Sequence, residues 1–289
     1  MGKILIIADQ KGSAIATSRG LQLAAKLGHS AEVYAFVYEP LARLGLTSPQ
    51  RNALKKRLLA AKEKEVQGRI DKFSRNGQKV RLKVVWTKDV AQWVSKHCAK
   101  AEYEMVVKTG QRSENIAHTS TDWQLLRECP APVFIVARKK WRRTQPVMAA
   151  LDLSSRVASK KKLNAQILSQ ASALAEAMGE ELEIISAVEV PTLLHDLDLI
   201  DTGSYVAQAK KDMAPHIKAL AREFNIAEKA FVVKRGPVEK VIASQAAKKR
   251  AQMVVMGTVG RKGVKARLIG NTAERVLGHL KTDVITLKP

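Results

Sequence analysis

Aromatic residues make up only 4% of the 289-residue chain, and cysteine occurs twice, at Cys98 and Cys129. The two cysteines have no C-x-x-C spacing and no accompanying histidine cluster, which speaks against a disulfide framework or a zinc site, so both read as packing residues. Long apolar runs are missing too. ILIIA near the start and VFIVA at 133–137 are strand-sized, far short of the roughly 20 residues a membrane helix needs, and no membrane span is expected. From Lys3 the chain runs straight into a short apolar stretch, without the basic region, longer apolar core and small-residue cleavage site of a signal peptide. The expected location is therefore cytoplasmic.

Negative charge is also scarce. Against 50 Lys and Arg stand 27 Asp and Glu, a net charge of +23. The excess is uneven: 28 cations against 12 acids give residues 1–144 a charge of +16, and 22 against 15 leave +7 on residues 145–289. Such a balance makes a polyanion a candidate partner. Apart from Trp141, no aromatic interrupts the basic runs KKR 55–57, RKKWRR 138–143, SKKK 159–162 and KKR 248–250, so no base-stacking platform is visible. They read first as solvated cationic faces, with salt-sensitive, non-specific polyanion contact as a secondary property.

What the chain does have is 46% hydrophobic residues in a regular order. Strand-like runs at 3–8, 30–37, 79–86, 103–108 and 132–137 alternate with helix-like stretches at 13–28, 48–76, 89–100 and 121–128. From Pro146 the alternation begins again: strands at 146–152, 180–188, 229–235, 251–257 and 283–288, and helices at 158–178, 204–225, 237–249 and 270–280. Alternation of this kind predicts parallel strands joined by right-handed helical crossovers. The α/β fold expected is two tandem doubly wound domains, each a five-stranded parallel sheet with helices on both faces. YEMVV 103–107 matches AQMVV 251–255, and APVFIV 131–136 matches TDVITL 282–287; a period near 145 residues signals domain duplication rather than a solenoid. The boundary is expected at the charged linker before Pro146, giving domains 1–143 and 144–289.

A doubly wound sheet takes ligands beyond the carboxyl ends of its strands, where strand order reverses. There the second half places MGTVGRKGVKARLIGNTAE, residues 256–274. Neither G-x-x-x-x-G-K-[ST] nor G-x-G-x-x-G occurs. The pattern is G-x2-G-x9-G at Gly257, Gly260 and Gly270, followed by Asn271 and Thr272 at a helix start, where free N–H groups and the helix dipole favour phosphate. Glycines here are free to adopt backbone conformations closed to other residues. Arg261 and Lys262 are positioned to neutralise phosphate, with Arg261 the better planar clamp. The competing reading is tight connection chemistry, with Asp152 at the end of the first strand capping the next turn.

With this glycine spacing, the chain resembles the universal stress protein family, whose nucleotide-binding members carry Ser or Thr where Asn271 stands; the Asn amide can donate as well. The resemblance runs through nearly the whole chain. It implies a stress-response protein binding an adenine nucleotide such as ATP, with or without Mg, in its second domain. By the same resemblance, Asp152 would contact the adenine or ribose side, Val188, Met256 and Gly257 would line the base pocket, and Gly260, Gly270, Asn271 and Thr272 would take ribose and phosphates. Tandem domains also resemble a family dimer made covalent, which lessens the need for self-association without abolishing it.

In the first half the matching segment, VVKTGQRSENIAHTSTDWQ, keeps only Gly110, with Asp122 and Trp123 where the second half has Ala273 and Glu274. That half is expected not to bind a triphosphate in the family's way, although Asp9 matches Asp152; it is read as a structural partner or as host to a ligand of another class. None of the six histidines has metal-ligand spacing, His97 and His118 read as helix-face or loop residues, and no nucleophile–base set can be assembled. At most, slow ATP hydrolysis is expected, and a binding and signalling module rather than an enzyme.

Overall fold

A computed structural model of the chain describes residues 2–10, 13–110, 121–138, 145–191, 201–258 and 269–288. The chain divides into two compact units, Met1–Arg138 and Lys139–Pro289.

In the first unit, β1 (Lys3–Ile7), β2 (Ser30–Val37), β3 (Val80–Trp86), β4 (Met105–Thr109) and β5 (Val133–Val136) alternate with α1 (Ile15–Lys26), α2 (Ser48–Phe73), α3 (Val90–Cys98) and α4 (Thr121–Glu128). The strands are all parallel in the order β3-β2-β1-β4-β5. The inner strands are buried on both sides, Ile4 to Ile7 of β1 and every residue of β4, which is why Ile4 to Ile7 and Met105 to Val107 read as continuous apolar runs rather than alternating ones.

In the second unit, β6 (Val147–Ala150), β7 (Leu182–Val188), β8 (Phe231–Arg235), β9 (Met253–Gly257) and β10 (Asp283–Leu287) alternate with α5 (Ala158–Met178), α6 (Thr202–Glu223), α7 (Val238–Lys248) and α8 (Asn271–His279). The order is β10-β9-β6-β7-β8, again parallel throughout. Both units thus carry the same doubly wound path, with helices on both faces. Strand β2 and helices α4 and α5 have the bounds that the sequence pattern gives them; the other elements shift by a few residues at their ends.

Local chemistry fixes the helix ends. Thr47 and Gln50 form a reciprocal capping box at the start of α2, with Pro49 in the first turn. The Asp201 carboxylate accepts from the Ser204 N–H at 2.6 Å to open α6, and α5 stops at Gly179, whose φ of 69° is the left-handed conformation glycine tolerates.

Of two features of the first unit, one differs from the sequence expectation and one refines it. His97 is not a plain helix-face residue. Its Nε2 lies 2.9 Å from the hydroxyls of both Tyr34 and Tyr103, both hydroxyls donate to Glu32, at 3.0 and 2.6 Å, and Trp93 stacks on the imidazole at 4.8 Å. Cys98 and Cys129, at the ends of α3 and α4, are both buried, and the Cys98 thiol is hydrogen-bonded to Cys129, which together with burial pushes its pKa up. That is the packing role expected, in the form of a matched pair.

Candidate functional site

The second unit's strand order reverses beside β6: the chain goes from β6 to β7 on one side and returns to β9 on the other. The carboxyl ends of β6 and β9 therefore border the crevice where such a sheet receives ligands. Asp152, two residues beyond β6, stands at its edge. Its backbone is clamped by one side chain of α5: the Asp152 N–H donates to Asn164 Oδ1 at 3.1 Å, and the Asn164 amide nitrogen donates back to the Asp152 carbonyl at 2.8 Å. Asn164 is only 2% exposed, so this exchange satisfies a buried amide and fixes the chain path leaving β6. The Asp152 carboxylate is itself half exposed, accepting from Ser154 Oγ at 2.9 Å and pairing with Lys160 Nζ at 2.8 Å. Neither Asn164 nor Lys160 stood out in the sequence: the first is one polar residue among several in α5, and the second belongs to a run that reads as solvated charge.

Val188 closes β7 and is buried, and Met256 on β9 is buried with its backbone in register with Ala150 of β6. Asp152, Val188 and Met256 thus stand at the carboxyl ends of three neighbouring strands. Gly257, the last residue of β9, is needed for packing: a Cβ there would lie 2.5 Å from Leu163 Cδ2 of α5. Thr258 then ties the chain to β10, its N–H and hydroxyl both donating to the Leu287 carbonyl, at 2.9 and 3.2 Å.

Gly260 and Arg261, with Lys262 and Gly263, lie outside the described residues. The chain is described again from buried Ile269. Gly270 is the N-cap of α8 at φ −68° and ψ 141°, its carbonyl accepting from Glu274 N–H at 3.0 Å. Asn271 and Thr272 form the exposed first turn, and among the described residues no side chain caps it. Its leading N–H groups are the donors a helix start presents to an anion. The glycine conformations differ from the expectation: Gly257 is a strand residue, and Gly270 has dihedrals open to any residue. Close packing explains the first. At Gly270, the N-cap, no special backbone shape is required.

The equivalent place in the first unit is built differently. Met105 pairs with Ile4 as Met253 pairs with Val147, so Lys108 and Thr109 stand where Met256 and Gly257 stand. Lys108 Nζ pairs with Asp122 Oδ1 at 2.5 Å and donates to the Thr109 carbonyl at 2.9 Å. Thr109 Oγ1 accepts from the Ala16 N–H at 3.0 Å, and Asp9 Oδ2 accepts from the same group at 3.2 Å. The Asp9 carboxylate is thereby engaged at the start of α1, and a buried ion pair occupies the place of Met256 and Ala273.

Among the described residues no three His, Cys, Asp or Glu side chains gather in a way that holds a metal ion, and no helix is long and apolar enough to cross a membrane.

Residues 146–288 match the Universal stress protein family. The chain is 30% identical over 264 residues to "Universal stress protein E" of Salmonella typhi, covering 89% of this chain and 83% of that protein. It is 28% identical to the "Universal stress protein E homolog" of Haemophilus influenzae over 263 residues, covering 89% and 84%. Among solved structures, a functionally unknown protein of Pseudomonas aeruginosa PAO1 superposes with a TM-score of 0.71 at 23% identity, covering 99% of this chain and 92% of that one. A universal stress protein of Archaeoglobus fulgidus does so with a TM-score of 0.65 at 18% identity, covering 99% and 98%.

Proposed function

From the premise that the chain belongs to the universal stress protein family, we propose that its second unit binds an adenine nucleotide, ATP or a close relative, as a binding and signalling module of the stress response. The observation that carries this reading is the start of α8, the helix that follows β9 in the chain: a first turn, Asn271 and Thr272, that no described side chain caps, preceded by a residue without a side chain. Donors and dipole there favour phosphate, and buried Val188 and Met256 supply an apolar wall suited to a purine. Asp152 serves the ribose or base side, its backbone held by Asn164. Gly260 and Arg261 complete the proposed loop, the glycine allowing close approach and the guanidinium clamping phosphate. In the same reading the domain boundary falls between residues 143 and 144.

Titration calorimetry with ATP, on wild type and Gly270→Val at two salt concentrations, tests this. The Gly270 dihedrals accept valine, so the variant keeps the chain path and adds bulk where phosphate approaches. The expected result is one site per chain, weakened at least ten-fold in the variant and only modestly sensitive to salt. Binding that ignores the substitution and collapses with salt overturns the reading.

A further inference from the structure

We infer that the first unit carries a second, separate binding surface, for single-stranded nucleic acid, over the carboxyl ends of β2 and β3. Tyr38 follows β2 directly and Trp86 ends β3. Val37 and Trp86 are partners in the parallel register, which brings the two rings to 6.0 Å between centroids at 53°. They are 48 positions apart in the chain, so no interleaved sequence pattern announces them. Tyr38 is 44% exposed, one of few large apolar side chains so open among the described residues. Lys55 Nζ of α2 lies 5.2 Å above the Trp86 ring centre. The ring pair is too close to admit a base between its members, so the open face of Tyr38 is the stacking surface, and Lys55, steadied on Trp86, sets a cation beside it.

The charge continues from there. Ser48–Lys62 of α2 contains Arg51, Lys55, Lys56, Arg57 and Lys62 and no acid. Arg51, Lys55 and Lys62 fall on one helix face. Lys62, its side chain 10% exposed and paired with Glu65 at 3.0 Å, donates to the Gln10 carbonyl beyond β1 at 3.0 Å, so it marks the direction of this face, along the carboxyl edge of the sheet from β3 toward β1, rather than adding an open charge to it. Arg51 and Lys55, with the exposed Lys56 and Arg57 beside them, span about 9 Å of the axis, a cationic track longer than one phosphate needs. A polymer with a base to stack and successive phosphates to neutralise fits it better than a mononucleotide does.

The second unit has no counterpart. Ala31 of β2 and Leu182 of β7 hold the same register against the first strand of their units, as do Leu82 of β3 and Phe231 of β8 against the second. The positions of Tyr38 and Trp86 are therefore those of Glu189 and Arg235, an acid and a cation with no ring to offer. The surface does not depend on the nucleotide reading of the second unit.

Fluorescence anisotropy of a labelled 20-nucleotide oligothymidylate with the full chain tests the inference, comparing wild type, Tyr38→Ala, Tyr38→Phe and Lys55→Gln across a salt series, with thermal melts as a folding control. The expected pattern has three parts: about ten-fold or greater loss in Tyr38→Ala, retention in Tyr38→Phe, and a shallower salt slope in Lys55→Gln. A duplex of equal length should bind more weakly, and saturating ATP should not compete. If Tyr38→Ala binds like wild type, the contact is only polyelectrolyte adhesion and the inference fails. It fails equally if phosphatidylserine vesicles displace the strand and their binding needs Tyr38 and the neighbouring exposed Leu44, for the surface then serves a membrane.

Discussion

Lys108 and Asp122 form an ion pair 2.5 Å long, with their side chains only 10% and 12% exposed, at the place in the first unit that corresponds to Met256 and Ala273 in the second. Removing one partner strands the other in a poorly solvated site, whereas replacing both with apolar groups does not. Chemical denaturation should therefore show Lys108→Met and Asp122→Ala each losing about 3 kcal/mol, while the double variant recovers most of that loss. Additive single losses would mean that the two groups do not act as a pair.

Gly257 has a similarly local role. A methyl group at this position meets Leu163 Cδ2 at 2.5 Å and Leu163 Cγ at 3.2 Å, with Ile167 Cδ1 behind them at 3.4 Å. Gly257→Ala should destabilise by about 1–3 kcal/mol, the usual cost of overpacking, and Leu163→Ala in the same chain should relieve part of the effect. A Gly257→Ala protein as stable as wild type would show that α5 yields easily.

The Asn164 clamp makes a third case. Asn164→Ala leaves the Asp152 N–H and carbonyl without their partner and should reduce stability by about 1–3 kcal/mol. Asn164→Asp keeps an acceptor but loses the donor and buries a charge, so it should be the worse of the two. Equal melting temperatures for both variants would count against the clamp.

The Glu32, Tyr34, Tyr103 and His97 network confines stability to a pH window. Burial pushes Glu32 upward, but the hydroxyls of Tyr103 and Tyr34, with Lys83 and Lys3, outweigh it and hold its pKa below the usual value. Burial lowers that of His97. Both depressed groups contribute stability that is complete above their unfolded pKa and lost as pH falls through the folded one, so the decline begins below about pH 6.5. Burial raises Tyr34 to about 12 and also pushes Tyr103 up. Their contribution is complete below about pH 10 and fades as pH rises beyond it. Melting curves of wild type and His97→Gln between pH 7 and 5 should converge as pH falls; a constant gap would exclude His97 titration.

Much of this architecture was legible because parallel strands buried on both faces must be apolar throughout, as Ile4 to Ile7 and Met253 to Met256 are, and because the unit is repeated. The helix start at Asn271 was legible through its glycine and polar first turn. Contacts between distant positions were not: Trp86 meets Tyr38, Asp122 meets Lys108, and His97 joins Glu32 only through register and crossover. Asn164 reads as one polar residue among several in α5, and nothing in its neighbours tells that it faces the end of β6. Glycine spacing marked Gly257 and Gly270 alike, though a side chain of α5 accounts for one and the other is a helix N-cap.

Of the 26 residues of α2, only Val66 and Ile70 are buried, and both belong to its carboxyl-terminal third. The two ends of this helix therefore differ in how tightly they are held. The stretch from Val66 onward opens only with the sheet beneath it, but Ser48–Lys62 is anchored mainly by its capping box and a few half-buried leucines, so it can exchange amide protons through fraying that leaves the core intact. Helical order in that stretch is inexpensive to lose, and anything that settles on its cationic face draws part of its binding free energy from restoring it.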